Sequence, residues 1–147
     1  MKIHIIGPVG SGKTTLANDL GKRFDMDVIS IDQLVWERHP GGDIRRADAE
    51  ISALLAQRIQ RPSWIIEGVH ARKWVLPSLV AADYILYYEP SYKTRRYRIN
   101  KRFIKQKLHL EQALYKPTTA MWRKMHGWSR LHEEKSRFET EAVQVQS

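Results

Sequence analysis

This sequence predicts an α/β domain built on a parallel sheet, and three observations predict it. Short apolar, β-branched runs alternate with stretches of helical periodicity. Those runs are apolar throughout, as in strands covered by helices on both faces. The first run passes through a glycine-rich turn directly into the first helical stretch.

Ile3 to Ile6 reads as a buried strand, and Gly7-Pro8-Val9-Gly10-Ser11-Gly12 as loop. From Lys13 to Phe24 the apolar residues Leu16, Ala17, Leu20 and Phe24 recur at helical spacing. Val28 to Ile31 predicts a second strand, ended by Asp32, and His39-Pro40-Gly41-Gly42-Asp43 is turn-rich. Asp48 to Gln60 carries Ile51, Leu54, Leu55 and Ile59 on one helical face and is closed by Pro62. Trp64-Ile65-Ile66 is a third strand ending at Glu67-Gly68. Tyr84 to Tyr88 is a fourth, stopped by Glu89-Pro90. Beyond Pro90 the chain turns basic, tryptophan-rich and helical, with a break near Lys116-Pro117. Val143 to Val145 are candidates for a very short fifth strand. With no internal repeat and no linker, the expectation is one domain over residues 1–147, in which about residues 91–140 form a basic helical lid or tail.

The 147 residues are 42% hydrophobic and 28% charged, values that exclude a disordered or low-complexity chain. The absence of cysteine excludes a disulfide scaffold, a thiol nucleophile and a cysteine-ligated zinc site. The six histidines, His4, His39, His70, His109, His126 and His132, show no metal-ligand spacing. No apolar run approaches the ~18 residues of a membrane span, and the amino-terminal run is too short for a signal peptide. A cytoplasmic protein without a membrane partner is therefore expected. The net charge of +9 calls for phosphate in some form: nucleic acid, anionic lipid or nucleotide. Eight lysines and arginines fall between Lys93 and Lys107 with no acid among them. Such a run reads either as a solvated helix face or as a basic arm.

Gly7-Pro8-Val9-Gly10-Ser11-Gly12-Lys13-Thr14 matches G-x-x-x-x-G-K-[ST] at every defined position. Chance produces that pattern in under ~1% of chains this long, and here it follows a strand and opens a helix, as a phosphate loop must. Glycines let backbone N–H groups turn inward around an anion. The start of the helix adds its positive end. Lys13 is placed to reach β- and γ-phosphate oxygens, the Thr14 hydroxyl to ligate Mg²⁺, and Thr15 to donate to the α-phosphate.

Ligands of open α/β sheets sit beyond the carboxyl ends of the strands, so residues there carry most weight. Asp32 is the candidate to accept or orient a hydroxyl proton on an acceptor. Glu67 is the candidate partner of Mg²⁺, and Gly68 allows close approach of a substrate. Glu89 ends the fourth strand, whereas Asp83 begins it, on the wrong edge. Arg95, Arg98 and Arg102 share a helix face and can stabilise charge on a transferring phosphoryl group. Arg45, Arg46 and Arg72 are candidates to bind an anionic acceptor. Trp64 reads as core. Trp36 reads either as a stacking platform for an acceptor ring or as packing under a loop.

Taken together, the phosphate loop, the strand ending in Asp32, the Trp64-Ile-Ile-Glu-Gly-Val-His segment, the Ala82-Asp83-Tyr-Ile-Leu strand and the arginine-rich helix resemble the adenylate-kinase-like nucleoside and nucleotide kinases. Within them the chain is most similar to small proteins labelled DNA topology modulation protein or putative adenylate kinase. The resemblance covers about residues 1–110. It implies the three-layer P-loop NTPase fold, with strand order 2-3-1-4-5 and a fifth strand short or absent here. It implies ATP and Mg²⁺ at Gly7, Gly10, Ser11, Gly12, Lys13, Thr14 and Thr15. It also implies acceptor contacts near Asp32, Arg46, Glu67, Gly68 and Arg72, and lid arginines among Arg95, Arg98 and Arg102. Glu67-Gly-Val-His-Ala-Arg72 stands where true adenylate kinases have Asp-Gly-Phe-Pro-Arg, which puts AMP as acceptor in doubt. The expected function is transfer of the γ-phosphoryl group of Mg-ATP to a small-molecule acceptor. Two alternatives stay open: a nucleotide-switched nucleic-acid-binding protein, and a nucleotide-binding member without transfer activity. Oligomeric state is not legible.

Overall fold

The computed structural model describes residues 1–68, 72–108 and 118–145, with side chains described to residue 131 and at Glu133. The chain divides into two compact units, Met1–Gly7 with Lys13–Tyr88, and Pro8–Gly12 with Glu89–Ser147.

The first unit is built on four parallel strands in the order β2-β5-β1-β6. These are β1 (Lys2–Ile6), β2 (Val28–Ser30), β5 (Trp64–Glu67) and β6 (Tyr84–Tyr87). In chain order they are the four predicted strands, arranged 2-3-1-4, and no fifth strand joins them among the described residues. Helix α1 (Lys13–Phe24) follows β1. On one side of the sheet Ile3, Ile5, Ala17 and Ile65 are buried together. On the other, Trp64 and Ile66 join Ile29, Ile31, Leu34, Val35, Ile51, Leu55, Trp74 and Val75. Alternate residues of β5 thus feed opposite cores, which is why that strand is apolar without a period of two. Strand β6 departs from the expectation of covered strands, since all four of its residues are exposed.

Two local expectations are corrected and two elements are added. The second strand stops at Ser30, and Ile31–Val35 form helix α2, with Asp32 in its first turn. Ile31, Leu34 and Val35 are buried at spacings of three and four, a helical pattern in the sequence itself. The turn-rich stretch is the tip of a hairpin in which β3 (Trp36–Glu37) pairs antiparallel with β4 (Ile44–Arg45). Helix α3 (Asp48–Ile59) then leads to β5, and Leu76–Ala81 forms a short helix, α4, with Pro77 in its first turn. Residues 143–145 are helical rather than extended. No glycine or proline follows Gly127 to stop the helix that contains them, and the stretch from Glu133 to Glu141 holds four Glu, one Lys and one Arg.

The second unit pairs α5 (Tyr92–Lys107) with α6 (Thr119–Val145). Ser91 caps α5 by accepting from the Thr94 N–H, and Thr118 Oγ1 accepts from the Met121 N–H at the start of α6. Asn100 Oδ1 accepts from Trp122 Nε1 at 3.0 Å, and Trp122 meets His126 edge-on. The break expected at Lys116-Pro117 lies outside the described residues.

Candidate functional site

Parallel pairing brings the carboxyl ends of the strands to one edge. Glu67, the last residue of β5, stands level with Ile5 of β1 and Ser30 of β2. Its side chain is only 5% exposed, and Thr14 Oγ1 on the first turn of α1 donates to Glu67 Oε1 at 3.1 Å. The two expected Mg²⁺ partners, 53 residues apart, are therefore hydrogen-bonded to each other. A hydroxyl and a carboxylate are hard oxygen donors of the kind Mg²⁺ accepts, with phosphate and water filling its other positions. Among the described residues no cluster of three His, Cys, Asp or Glu forms a cage of protein ligands alone.

His4 supports this edge from below. It is fully buried in β1, with Nε2 3.3 Å from the carbonyl oxygen of Gly68, the residue after Glu67. Burial lowers its pKa, and the hydrogen bond to Gly68 only partly opposes this, so the ring is held neutral. The sequence reading saw only a histidine without metal-ligand spacing. Its place in an otherwise apolar strand was the available signal.

The loop between β1 and α1 is glycine-dependent at named positions. A Cβ on Gly7 would lie 2.2 Å from the carbonyl oxygen of Tyr88. In the second unit, Gly10 has φ of +77°, and a Cβ there would meet Ile99 at 2.8 Å. Ser11 is fully buried, and its N–H donates to the Pro8 carbonyl at 3.3 Å. The guanidinium of Arg98, on α5, donates to the Ser11 carbonyl. Gly12 has φ of +94°. Lys13 is half-buried at the first position of α1, and Thr15, two residues on, is exposed.

The expected acceptor residues are dispersed. Asp32 is exposed in α2, beyond the carboxyl end of β2 and at the same sheet edge as Glu67. Gly68, with φ of +120°, passes Ile31, whose Cβ would lie 3.1 Å from an added Cβ, so packing alone accounts for this glycine. Trp36 is 38% exposed at the base of the hairpin. Arg46 donates to the carbonyls of Gln33 at 3.2 Å and Leu34 at 3.1 Å and pairs with Glu50 at 3.0 Å, which ties α2, the hairpin and α3 together. Arg45 pairs with Asp48 at 2.6 Å. Arg72 is exposed, next to residues 69–71, which include His70 and lie outside the described residues. Asp83, on the opposite edge as expected, accepts from the Lys2 N–H at 2.7 Å.

The three arginines of α5 differ. The Arg95 side chain is 1% exposed. Its Nε donates to Ser129 Oγ, one terminal nitrogen to the Pro90 carbonyl beside Glu89, and the other to the Ser129 carbonyl and Glu133. The guanidinium thus makes four hydrogen bonds, with Glu89 a further ion-pair partner at 3.7 Å. Arg95, expected to contact phosphate, here joins α5 to α6. Ser129 and Glu133, which sequence reasoning missed, carry that role. Arg98 reaches the loop, as above. Arg102 is half-buried against a cavity of about 10 Å³ bordered by Phe103 and Trp122, room for one water.

No family model matches this chain, and no curated protein matches it. Among solved structures it is similar to a gluconokinase from Sinorhizobium meliloti 1021, 14% identical over 94% of this chain and 96% of that one, with a TM-score of 0.49. It is likewise similar to a deoxyadenosine kinase from M. mycoides with bound dATP, 17% identical over 95% and 86%, with a TM-score of 0.48. An uncharacterized protein from Eubacterium ventriosum ATCC 27560 is 18% identical over 86% and 76%, with a TM-score of 0.46. At these identities and scores no function is carried over, and the reading below rests on this chain's own residues.

Proposed function

We propose that this protein is a phosphotransferase that binds Mg-ATP through Gly7, Gly10, Ser11, Gly12, Lys13, Thr14 and Thr15 and moves its γ-phosphoryl group to a small-molecule acceptor. The observation that carries the reading is the hydrogen bond from Thr14 to the buried carboxylate of Glu67. A G-x-x-x-x-G-K-T turn without function has no reason to hold an acid in that place. Main-chain amides of the loop and the amino end of α1 bind phosphate oxygens. Lys13 adds a point charge that follows the transferring group. Thr14 and Glu67 hold Mg²⁺, which when bound neutralises charge on the phosphates. Arg98, already on the loop carbonyl of Ser11, stabilises the charge that develops during transfer, with Arg102 one turn further along α5. Asp32 takes the acceptor's hydroxyl proton. Trp36, Arg46, Gly68 and Arg72 are the proposed acceptor surroundings. Among all the residues proposed to face the acceptor, Asp32 is best supported, because it follows β2 at the sheet edge that Glu67 ends.

Calorimetric titration with Mg-ATP tests binding, and ADP release across a panel of nucleosides, nucleotides and sugars tests transfer. Lys13→Ala is expected to keep the fold and lose both signals. Absence of heat with Mg-ATP and with Mg-GTP in the parent protein refutes the reading.

A further inference from the structure

We propose that the cleft between β2, α2 and α3 binds an elongated organic dianion, with one acidic group held by arginine at each end. The cleft has a volume of about 330 Å³, within the range of small-molecule sites. It runs along β2, from Asp27 ahead of the strand, past Val28, to Ser30 at its end. It therefore lies on the flank of the sheet, not beyond the carboxyl ends of the strands, where Thr14 meets Glu67. Of the residues assigned above to ATP or the acceptor, Arg46 lines this cleft as well.

Helix α3 sets the positions of the charges. Arg46 stands two residues before it and donates to the carbonyls of Gln33 and Leu34 in α2. Arg58 is in its last turn, and Arg61, just past it, donates to the carboxylate of Asp27. A connection that joins parallel neighbours such as β2 and β5 must run back along the sheet. Arg46 thus falls at the carboxyl end of β2, and Arg58 and Arg61 at its amino end. Leu54, one turn before Arg58 on the same helix face, lines the cleft between those ends as an apolar wall.

Charge and spacing select the ligand. The lining carries three guanidinium groups, Arg46, Arg58 and Arg61, and one carboxylate, Asp27. Asp27 is 60% exposed, and Glu50, the partner of Arg46, is 53% exposed, so both pairs are screened by water. Positive charge exceeds negative even with Glu50 counted. Arg46 and Arg58 are half-buried, where a guanidinium has lost part of its hydration. An anion in the cleft replaces that hydration with forked, charge-assisted hydrogen bonds. From Asp27 to Ser30 the strand advances about 10 Å at ~3.3 Å per residue. One molecule with an acidic group at either end matches that length, and a lone phosphate does not.

Calorimetry of the full chain tests this with suberate, whose carboxylates stand far apart, and with hexanediol bisphosphate. At least one is expected to bind, and the tighter of the two tells a carboxylate ligand from a phosphate one. Succinate, with its carboxylates close together, and octanoate, with a single one, are expected to bind at least about tenfold more weakly. Arg58→Gln removes a charge that the proposed ATP site does not use. It is expected to weaken the better probe by about tenfold or more while its Tm matches the parent, and Arg61→Gln repeats the loss at the same end. Lys13→Ala is expected to leave this binding unchanged, so the cleft and the proposed ATP site fail independently. The proposal is overturned if neither long probe binds, if succinate or octanoate binds as tightly, or if Arg58→Gln binds as the parent does.

Discussion

Glu67→Gln separates an acid kept for a cation from one kept for the fold. The carboxylate is 5% exposed, and among the described residues its hydrogen-bond donor is the Thr14 hydroxyl at 3.1 Å. A buried charge with one neutral donor is costly, by several kcal/mol where it is fully desolvated. Glutamine keeps the shape and an acceptor oxygen for Thr14 while removing the charge. The variant is therefore expected to be as stable as the parent or more stable by about 1 kcal/mol, a rise in Tm of about 3 °C for a chain of this size. Mg-ATP at a hundredfold excess over its Kd stabilises the parent by about 2.7 kcal/mol. The variant is expected to lose most of the part of this shift that depends on Mg²⁺. Paired thermal melts with ATP alone and with Mg-ATP provide the measurement. A Tm more than about 5 °C below the parent, or an undiminished Mg²⁺-dependent shift, refutes the assignment.

Acid sensitivity is expected from His4, whose pKa burial depresses in the folded chain. Below about pH 6.5 the unfolded chain takes up a proton that the folded chain refuses, so stability falls with pH from there down to the folded pKa, by at most about 1.4 kcal/mol per pH unit. His126, lowered by burial and by Arg96, adds in the same direction. Urea midpoints at pH 7.5 and 5.5 check this, and His4→Gln should flatten the difference. Arg95→Met removes the donor from the carbonyls of Pro90 and Ser129, and from Glu133, which water partly serves at 47% exposure. A loss of about 3 kcal/mol is expected, and one below about 1 kcal/mol would contradict the reading. Gly21→Ala puts a Cβ 2.4 Å from Val28 Cγ2 and 3.0 Å from the Met26 carbonyl oxygen, so destabilisation by about 1–3 kcal/mol should appear in denaturant unfolding.

What the sequence disclosed followed from periodicity and motif. Trp64-Ile65-Ile66 names a strand buried on both faces, and each of these residues is fully buried, to one side or the other. Thr14 and Glu67 were each singled out in the sequence, and the parallel sheet brings the residue after the glycine-rich loop and a strand-terminal acid to one edge, where they hydrogen-bond. Short elements were harder. Helix α2 has five residues and the hairpin strands two each, below the length at which a pattern repeats. The hairpin nonetheless had a signal, Pro40-Gly41-Gly42-Asp43 between Trp36-Glu37 and Ile44-Arg45. The carbonyl contacts of Arg46 and Arg95 were illegible because a guanidinium shows no partner in one dimension.

The basic run of α5 resolves that ambiguity by face. Arg95 and Ile99 are buried, and Arg98 and Arg102 are half-buried, spacings of three and four that mark one inward stripe. Lys93, Arg96, Lys101, Lys105 and Lys107 are exposed on the remainder. There Arg96 lies over the ring of Tyr92 at 5.9 Å, and Lys101 over that of Tyr97 at 5.6 Å. The solvated face is thus one side of α5, and the other side is buried or half-buried. Among the described residues this inward stripe reaches the β1–α1 loop, where Arg98 donates to the Ser11 carbonyl. Net charge is therefore a poor guide to this site. Of the eight basic residues in the run, five are exposed, one holds two helices together, and Arg98 and Arg102 are half-buried.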